Sequence, residues 1–566
     1  MRMPAVEHAG RVDGQTAPSV LPQPPDDQEK HSYAGRRLWV LTGSSLISVG
    51  CLAVSQFRQV QSSPWLWVFL PFLVFTLLYY LTSLRVNAFT TDFDLAEHRR
   101  LVRDWHPVRY PAVGVLLPVC GEPVDVLRNT WTHVHRLTGH YRGTVTAYVL
   151  DDSGNPELAA LAAEFGFVHG SRPNRGWYKK AGNLHYGLSI SDEEYVLILD
   201  ADFAPRADLL DELLPYLEQD PLTGIVQSPQ FFRVLPRQTW IERGAGAVQE
   251  LFYRAIQVSR QRRDGAICVG SCAVYRRAAL QANGGTTLIE HSEDVHTGFD
   301  LNRLGWTLRY VPIPLATGIC PDSVSAFFHQ QYRWCSGSMS LLGSRKFWNA
   351  ELRLATRLCY ISGFLYYLHT ALFTFLAPLI PITLLVALPG HLKVEYTLLV
   401  LPSVLYTTVI FPWWHNCPYR LEAWAARMLY GWAHVFAVWD ILRGRRMSWR
   451  PTGSATAKQD ASRRLWTGIR LWNGGTAVAW VGTALWRMLT LHPPDFVLIL
   501  CCGLFYAAIV ARVLIPGEAT RPRPRRYLSA TSNTLSPSLS PSLPARSVVI
   551  HRLLRPGTFS ARRIRP

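Results

Sequence analysis

The run Tyr195-Val-Leu-Ile-Leu199-Asp200-Ala-Asp202 reads as a buried strand that stops in two carboxylates. Apolar residues in succession, with aromatic and β-branched members, favour extended backbone covered on both faces. Asp200 and Asp202 then emerge together at the strand's carboxyl end, where open α/β sheets bind their ligands. Two carboxylates so placed can share a hard divalent cation with a substrate's phosphates. An Asp-x-Asp pair on its own is equally a loop cap or a solvated acidic face.

Working outward, Val113–Val119 and Thr144–Leu150 read as two further strands. The second leads into Asp151-Asp152, which repeats the strand-end arrangement, and Glu122 follows the first. Helix-like stretches, Pro156–Phe165 and Ala207–Leu217, lie between the strands. Strands alternating with helices predict an α/β layered domain with a mainly parallel sheet and one acidic crevice. Lys179-Lys180-Ala-Gly-Asn183 falls between the two acidic sites and reads as a turn, either a diphosphate contact or a solvated loop.

Downstream, Glu290-His-Ser-Glu-Asp294 precedes a helix-like stretch. Asp294 has the chemistry of a general base, provided an acceptor hydroxyl comes within hydrogen-bond reach. The alternative is a helix capped by Ser292 with acids in its first turn. In His329–Gly337, read as a helix, Gln330, Arg333 and Trp334 share one face at i, i+3 and i+4. An amide, a planar cationic fork and an aromatic platform suit a diphosphate and a sugar ring. A half-buried helix whose Arg pairs with an Asp would look the same.

The polar domain, residues 86–350, is flanked by apolar runs. Leu38–Phe57 and Trp65–Leu84 precede it; Tyr360–Leu388 (with Pro378 and Pro381), Val394–Trp414, Leu471–Leu489 and Phe496–Leu514 follow. Tyr360–Leu388 is longer and reads as one kinked span or a span with an interfacial extension. The others are near the roughly 20 residues needed to cross a bilayer, which predicts about six spans, two at 36–85 and four within 351–515. The basic, Trp-rich stretch Tyr419–Arg446 reads as an interfacial amphipathic helix. Residues 1–35 and the basic, Ser- and Pro-rich 516–566 read as disordered tails.

The 58 Lys and Arg against 40 Asp and Glu give a formal charge of +18. These cations crowd at the ends of apolar runs and in the C-terminal tail, the pattern of a membrane protein with a cytosolic polar domain rather than of a nucleic-acid binder. The ten cysteines include no paired CxxC motifs, so neither a zinc site nor a disulfide framework is expected. A transporter with a regulatory domain is the reading from another class, but it would carry paired ionisable groups within its spans, which are almost free of them.

The order of these motifs resembles the processive family-2 glycosyltransferases, the group of cellulose, chitin and hyaluronan synthases. Their D, DxD, (T/S)ED and QxxRW series appears as Asp151-Asp152, Asp200-Ala-Asp202, Ser292-Glu-Asp294 and Gln330-Gln-Tyr-Arg333-Trp334. Lys180-Ala-Gly-Asn183, Val226-Gln-Ser-Pro-Gln-Phe-Phe232 and Cys268-Val-Gly-Ser-Cys272 add to it. The resemblance covers residues 110–345, and the spans on either side fit the same plan.

It implies a GT-A-type α/β domain inserted between transmembrane helices, a UDP-sugar donor, most simply UDP-glucose, and Mg²⁺ or Mn²⁺. By this analogy Glu122 and Asp151, with Asp152 beside them, hold the uridine; Lys180, Asp200, Asp202 and the metal take the diphosphate. Asp294 deprotonates the acceptor hydroxyl, Gln330 and Arg333 stabilise the leaving UDP, and Trp334 stacks under the terminal acceptor sugar. Met447-Ser-Trp449-Arg-Pro-Thr452-Gly453 resembles the family's FxVT gating loop, with Trp449 and Thr452 in the motif's first and last places. The implied product is a β-glucan, 1,4- or mixed 1,3/1,4-linked, extruded across the plasma membrane. The alternative is a chitin- or hyaluronan-type polymer from UDP-N-acetylglucosamine. The tail after Leu514 has no strand pattern, so no cyclic-dinucleotide-binding barrel is expected there; accessory subunits are compatible with the resemblance.

Overall fold

The computed structural model describes residues 21–34, 38–87, 93–236, 238–415, 417, 420–444 and 460–515. Nine strands occur among them: β1 (Val113–Val119), β2 (Val145–Asp151), β3 (Val168–Gly170), β4 (Tyr195–Ile198), β5 (Ala204–Pro205), β6 (Thr223–Gln227), β7 (Ala273–Arg276), β8 (Thr307–Tyr310) and β9 (Ala316–Thr317). Seven of these form one sheet in the order β3-β2-β1-β4-β7-β6-β8, and β5 pairs with β9 in a small second sheet. β3, β2, β1 and β4 are parallel; β7 runs antiparallel to β4 and β6, and β8 is parallel to β6.

This mixed, mostly parallel sheet is of the GT-A type, as the sequence predicts. Its apolar strands are covered on both faces: Val115, Leu116, Leu117, Val196 and Leu197 are fully buried. The chain leaves β1 towards β2 on one side and later enters β4 on the other. A crevice therefore opens between the ends of β1 and β4. Glu122 follows β1 and Asp200 follows β4, so chain direction alone brings them to the same opening.

Five helices among the described residues are long and apolar enough to cross a membrane: Leu38–Ser62, Pro64–Asn87, Leu354–Ala387, Val394–Trp414 and Val497–Leu514. The 34-residue helix Leu354–Ala387 continues through Pro378 and Pro381. The sixth expected span, Leu471–Leu489, lies across a π-helical turn, Ile469–Gly474, and the α-helix Gly475–Thr490.

Two expectations need correction. Residues 21–34 are not a disordered tail but an ordered strap on the polar domain. Lys30 reaches Asp208 at 2.7 Å and Glu212 at 2.5 Å, and Glu29 pairs with Arg233 at 2.5 Å. The capping box of Asp26 and Glu29 starts a short helix there, and Tyr33 packs edge-on against Phe231. Composition signalled disorder because the strap's partners lie far along the chain.

The second concerns Tyr419–Arg446. Its helix, Leu421–Leu442, packs against Trp240–Leu251, Val324–Leu342 and Leu354–Ala387 and buries residues around its circumference. It is a core helix joining the polar domain to the apolar helices, not an amphipathic surface helix. Glu422 and Asp440, which look like a polar face, are used internally: Glu422 pairs with Arg243 at 2.8 Å, and Asp440 accepts from Tyr332 at 2.9 Å.

Candidate active site

Lys180 is the centre of the crevice. Its Nζ lies 2.5 Å from Asp200 Oδ1, donates to the carbonyl of Gly270 at 2.8 Å, and approaches Glu293 Oε1 at 3.7 Å. One ammonium thus joins the DxD, the Cys268–Cys272 loop and the Glu293-Asp294 pair. The turn expected at Lys180–Asn183 is instead the first turn of the helix Lys179–Ile190. Asn183 anchors that turn by donating to the carbonyl of Leu150 at 2.7 Å. Enclosure alone would lower the pKa of Lys180; Asp200, Glu293 and Asp294 outweigh it and raise it.

The acidic residues are not equivalent. Asp202 is pushed up to about 7 by its enclosure and by the charges of Asp200 and Glu122. Glu122 is raised by the same loss of water, while its carboxylate accepts from the backbone N–H of Cys120 at 2.6 Å. Asp294 is raised by burial in the cleft and then by Glu293 beside it. Its carboxylate sits against Gly270, where a Cβ would come within 2.7 Å of Oδ2. Gly270 has φ +71°, a conformation that favours glycine, so both backbone shape and space exclude a side chain there.

The competing capping reading of Ser292 is not observed. Ser292 precedes the helix Glu293–Arg303 with φ 54° and its side chain makes no cap hydrogen bond. The hydroxyl points instead towards the Val324–Leu342 helix, 3.5 Å from the carbonyl of Arg333. On that helix Gln330, Arg333 and Trp334 all face the cavity shared with Asp200, Asp202 and Asp294. Gln330 is buried and its Oε1 has no hydrogen-bond partner, an acceptor aimed at space a ligand would fill. Removal from water lowers the pKa of Arg333 to about 10, against the pull of Glu293 and Asp200.

Asp151 and Asp152 are both engaged within the fold. Asp151 Oδ1 accepts from the backbone N–H and hydroxyl of Ser153 at 2.7 and 2.6 Å, closing the turn after β2. Burial would raise its pKa, but bonds from His169, Ser153 and Gly154 outweigh that and hold it at about 2. Asp152 forms a two-pronged pair with Arg172 at 2.7 and 2.5 Å, both side chains almost fully buried. Asp152 borders the cavity, whereas Asp151 does not. Trp449 and Thr452, with the gate-like stretch around them, lie outside the described residues.

Sequence reasoning missed Glu293 as a partner of Lys180, and the roles of Gly270 and Ser271. The hydroxyl of Ser271 accepts from the backbone N–H of Asp200 at 3.0 Å, fixing the DxD to the antiparallel strand β7. The signal was present in Cys268-Val-Gly-Ser-Cys272, but nothing local tells which strand end that loop will meet.

The cavity has a volume of about 1150 Å³ and does not stop at the crevice. Its lining runs from Lys180 and Asp294 past Trp334 to Tyr366, Phe373, Thr374, Asn473 and Trp480 on the apolar helices. Carboxylates and cations give way to aromatic rings, hydroxyls and an amide along it.

An acidic strand-end pair, a buried carboxylate beside it and an Arg-bearing helix across the cavity make up a glycosyltransferase-type site on a GT-A-type sheet. Residues 195–417 match the protein-family model described as glycosyl transferase family group 2. It is 31% identical over 262 residues, 46% of the chain, to cellulose synthase 1 of Komagataeibacter xylinus. It is 30% identical over 264 residues to the UDP-forming cellulose synthase catalytic subunit of Xanthomonas axonopodis pv. citri. The matches span 17% and 36% of those relatives' own length. Among solved structures, a Pyrobaculum calidifontis mannosyltransferase in complex with GDP-Man and Mn²⁺ aligns over 65% of this chain and 98% of its own. That alignment has a TM-score of 0.42 and 15% identity.

Proposed function

We propose that the protein is a processive, inverting β-glycosyltransferase that polymerises glucose from UDP-glucose into a β-glucan and passes it across the cell membrane. The single observation that carries this reading is the continuity of one cavity from the Lys180–Asp200–Asp294 crevice into the aromatic-lined space among the apolar helices. An enzyme releasing a small soluble product has no use for such an exit. The names of the relatives, cellulose synthases that form UDP, support glucose and UDP as substrate and leaving group.

The residues present fit a divalent metal. Asp200 and Asp202 offer hard oxygen donors on the same cavity, two residues apart at the end of β4. Among the described residues no three His, Cys, Asp or Glu side chains are grouped to cage an ion alone. Phosphate oxygens and water must complete the set, as is usual for Mg²⁺ at phosphate sites. Held by Asp200 and Asp202, Mg²⁺ or Mn²⁺ would supply charge neutralisation on the leaving diphosphate.

The chain's own groups do the rest. Lys180 and Arg333 meet the diphosphate as it gains charge, in surroundings where each is short of water and therefore strongly attractive. Asp294 takes the proton of the acceptor hydroxyl as that oxygen attacks the anomeric carbon from the face opposite the leaving UDP, which inverts the configuration. Gln330 accepts from a substrate hydroxyl or N–H. Trp334 presents its face to the terminal sugar, holding it in line for attack. Purified protein in nanodiscs with Mg²⁺ and radiolabelled UDP-glucose tests the proposal. High-mass label cleaved by cellulase or lichenase, and absent with Asp294→Asn, is the expected result; label incorporated only from UDP-N-acetylglucosamine overturns the choice of sugar.

A further inference from the structure

Arg260 is a buried cation that the reaction does not use. Its side chain belongs to a residue only 4% exposed, in the short helix Gln257–Gln261. No Asp or Glu oxygen among the described residues lies within ion-pair distance of it, and its Nε has no hydrogen-bond partner. The guanidinium abuts Gly363 of the Leu354–Ala387 helix, where a Cβ would lie 3.5 Å from Nη2. Cys359, Tyr360 and Tyr367 stand on the same helix as Gly363, and Tyr79 on Pro64–Asn87 beside it. Arg260 and the three tyrosines border the cavity.

The other two buried arginines among the described residues, Arg172 and Arg254, are matched. Arg172 has Asp152, and Arg254, likewise buried, has Glu250. An isolated buried charge costs several kcal/mol unless something of opposite sign meets it. A neutral glucan in the same cavity could bond to the fork but would leave the charge uncompensated. The three tyrosines that share its cavity carry hydroxyl donors, and no carboxylate among the described residues pairs with it, which suits an anion. The position points the same way. Arg260 lies where Pro64–Asn87 ends and Leu354–Ala387 begins, and Arg263 donates to the carbonyl of Arg85 at 3.1 Å beside it. Basic groups at the cytosolic ends of apolar helices meet anionic headgroups.

We propose that Arg260, with the hydroxyls of Tyr79, Tyr360 and Tyr367, forms an anion-binding site for a phosphate group at the junction of the polar domain and the membrane helices. The group is that of a phospholipid head or of free phosphate. The site is separate from the diphosphate site at Lys180 and does not depend on which polymer the enzyme makes.

The test uses full-length, delipidated protein in detergent. Thermal unfolding is followed with phosphatidylglycerol, with uncharged phosphatidylcholine, and with inorganic phosphate, for wild type, Arg260→Gln, Arg260→Lys and Arg353→Gln. Arg353 is exposed and pairs with Asp264, so its variant controls for loss of a surface charge. The expected result is a rise in Tm with phosphatidylglycerol but not phosphatidylcholine, lost in Arg260→Gln and retained in Arg260→Lys and Arg353→Gln. A rise with inorganic phosphate that shows the same dependence assigns the site to the free anion. Native mass spectrometry should show one retained phosphatidylglycerol in wild type and none in Arg260→Gln. Equal shifts in wild type and Arg260→Gln, or displacement of the probe by UDP, would overturn the proposal.

Discussion

Gly337 packs so tightly on Ser292 that a Cβ added to the glycine would overlap both the Oγ and the Cβ of the serine. The helix carrying Gln330, Arg333 and Trp334 is thereby seated directly on the turn that presents Asp294. The His296 ring reinforces the contact from the next turn, with Nε2 3.0 Å from Ser340 Oγ. The groups assigned to the leaving group and to the acceptor proton therefore move as one piece.

Gly337→Ala should push the two apart, costing about 1–3 kcal/mol through overpacking and lowering turnover more than donor affinity. Ser292→Gly in the same chain removes the opposing atoms, and its φ of 54° suits glycine. The double variant should recover activity, measured as kcat and KM for the donor.

Asp294→Asn should reduce transfer by about 10²–10⁴-fold, the range for loss of a general base, while UDP still binds. Calorimetric titration with UDP alongside the turnover assay separates the two effects.

Because burial and Glu293 raise the pKa of Asp294, and only its anion accepts a proton, kcat should be flat at high pH and fall as pH drops. The inflection should lie clearly above the ordinary aspartate value of about 3.9. Glu293→Gln removes a neighbouring negative charge and should move that acid limb to lower pH. A limb that stays in place would assign it to another group.

Arg172→Ala leaves Asp152 buried and unpaired, and should destabilise the polar domain by about 3–5 kcal/mol. The check is the Tm of the purified protein. Donor affinity in the surviving folded fraction should change little, because the pair holds the loop after β3 rather than the reacting atoms.

Chelation by EDTA should abolish transfer, and Mg²⁺ or Mn²⁺ should restore it. Asp202→Asn should raise the metal concentration needed for half-maximal rate, read from a titration of activity against metal.

The strand ends were legible because five apolar residues before a carboxylate pair leave one physical option for the backbone. The face shared by Gln330, Arg333 and Trp334 followed from helical spacing in the same way. The duties of Asp151 and Asp152 were not legible. Asp152 is consumed by Arg172, 20 residues away on another loop. Asp151 Oδ1 accepts from Ser153 and Oδ2 lies by His169, which only the turn geometry reveals. The core position of Leu421–Leu442 was hidden too, since Glu422 and Asp440 look solvated until Arg243 and Tyr332 are seen across from them.

The strap at residues 21–34 carries a consequence for how the chain is built. Lys30 leaves the ribosome long before Asp208, 178 residues later, and Arg233 must wait even longer to bind Glu29. Between these partners the chain lays down two long apolar helices and five strands of the large sheet, β1 to β4 and β6. The strap is thus made first yet cannot complete its docking until residues up to Arg233 have followed it.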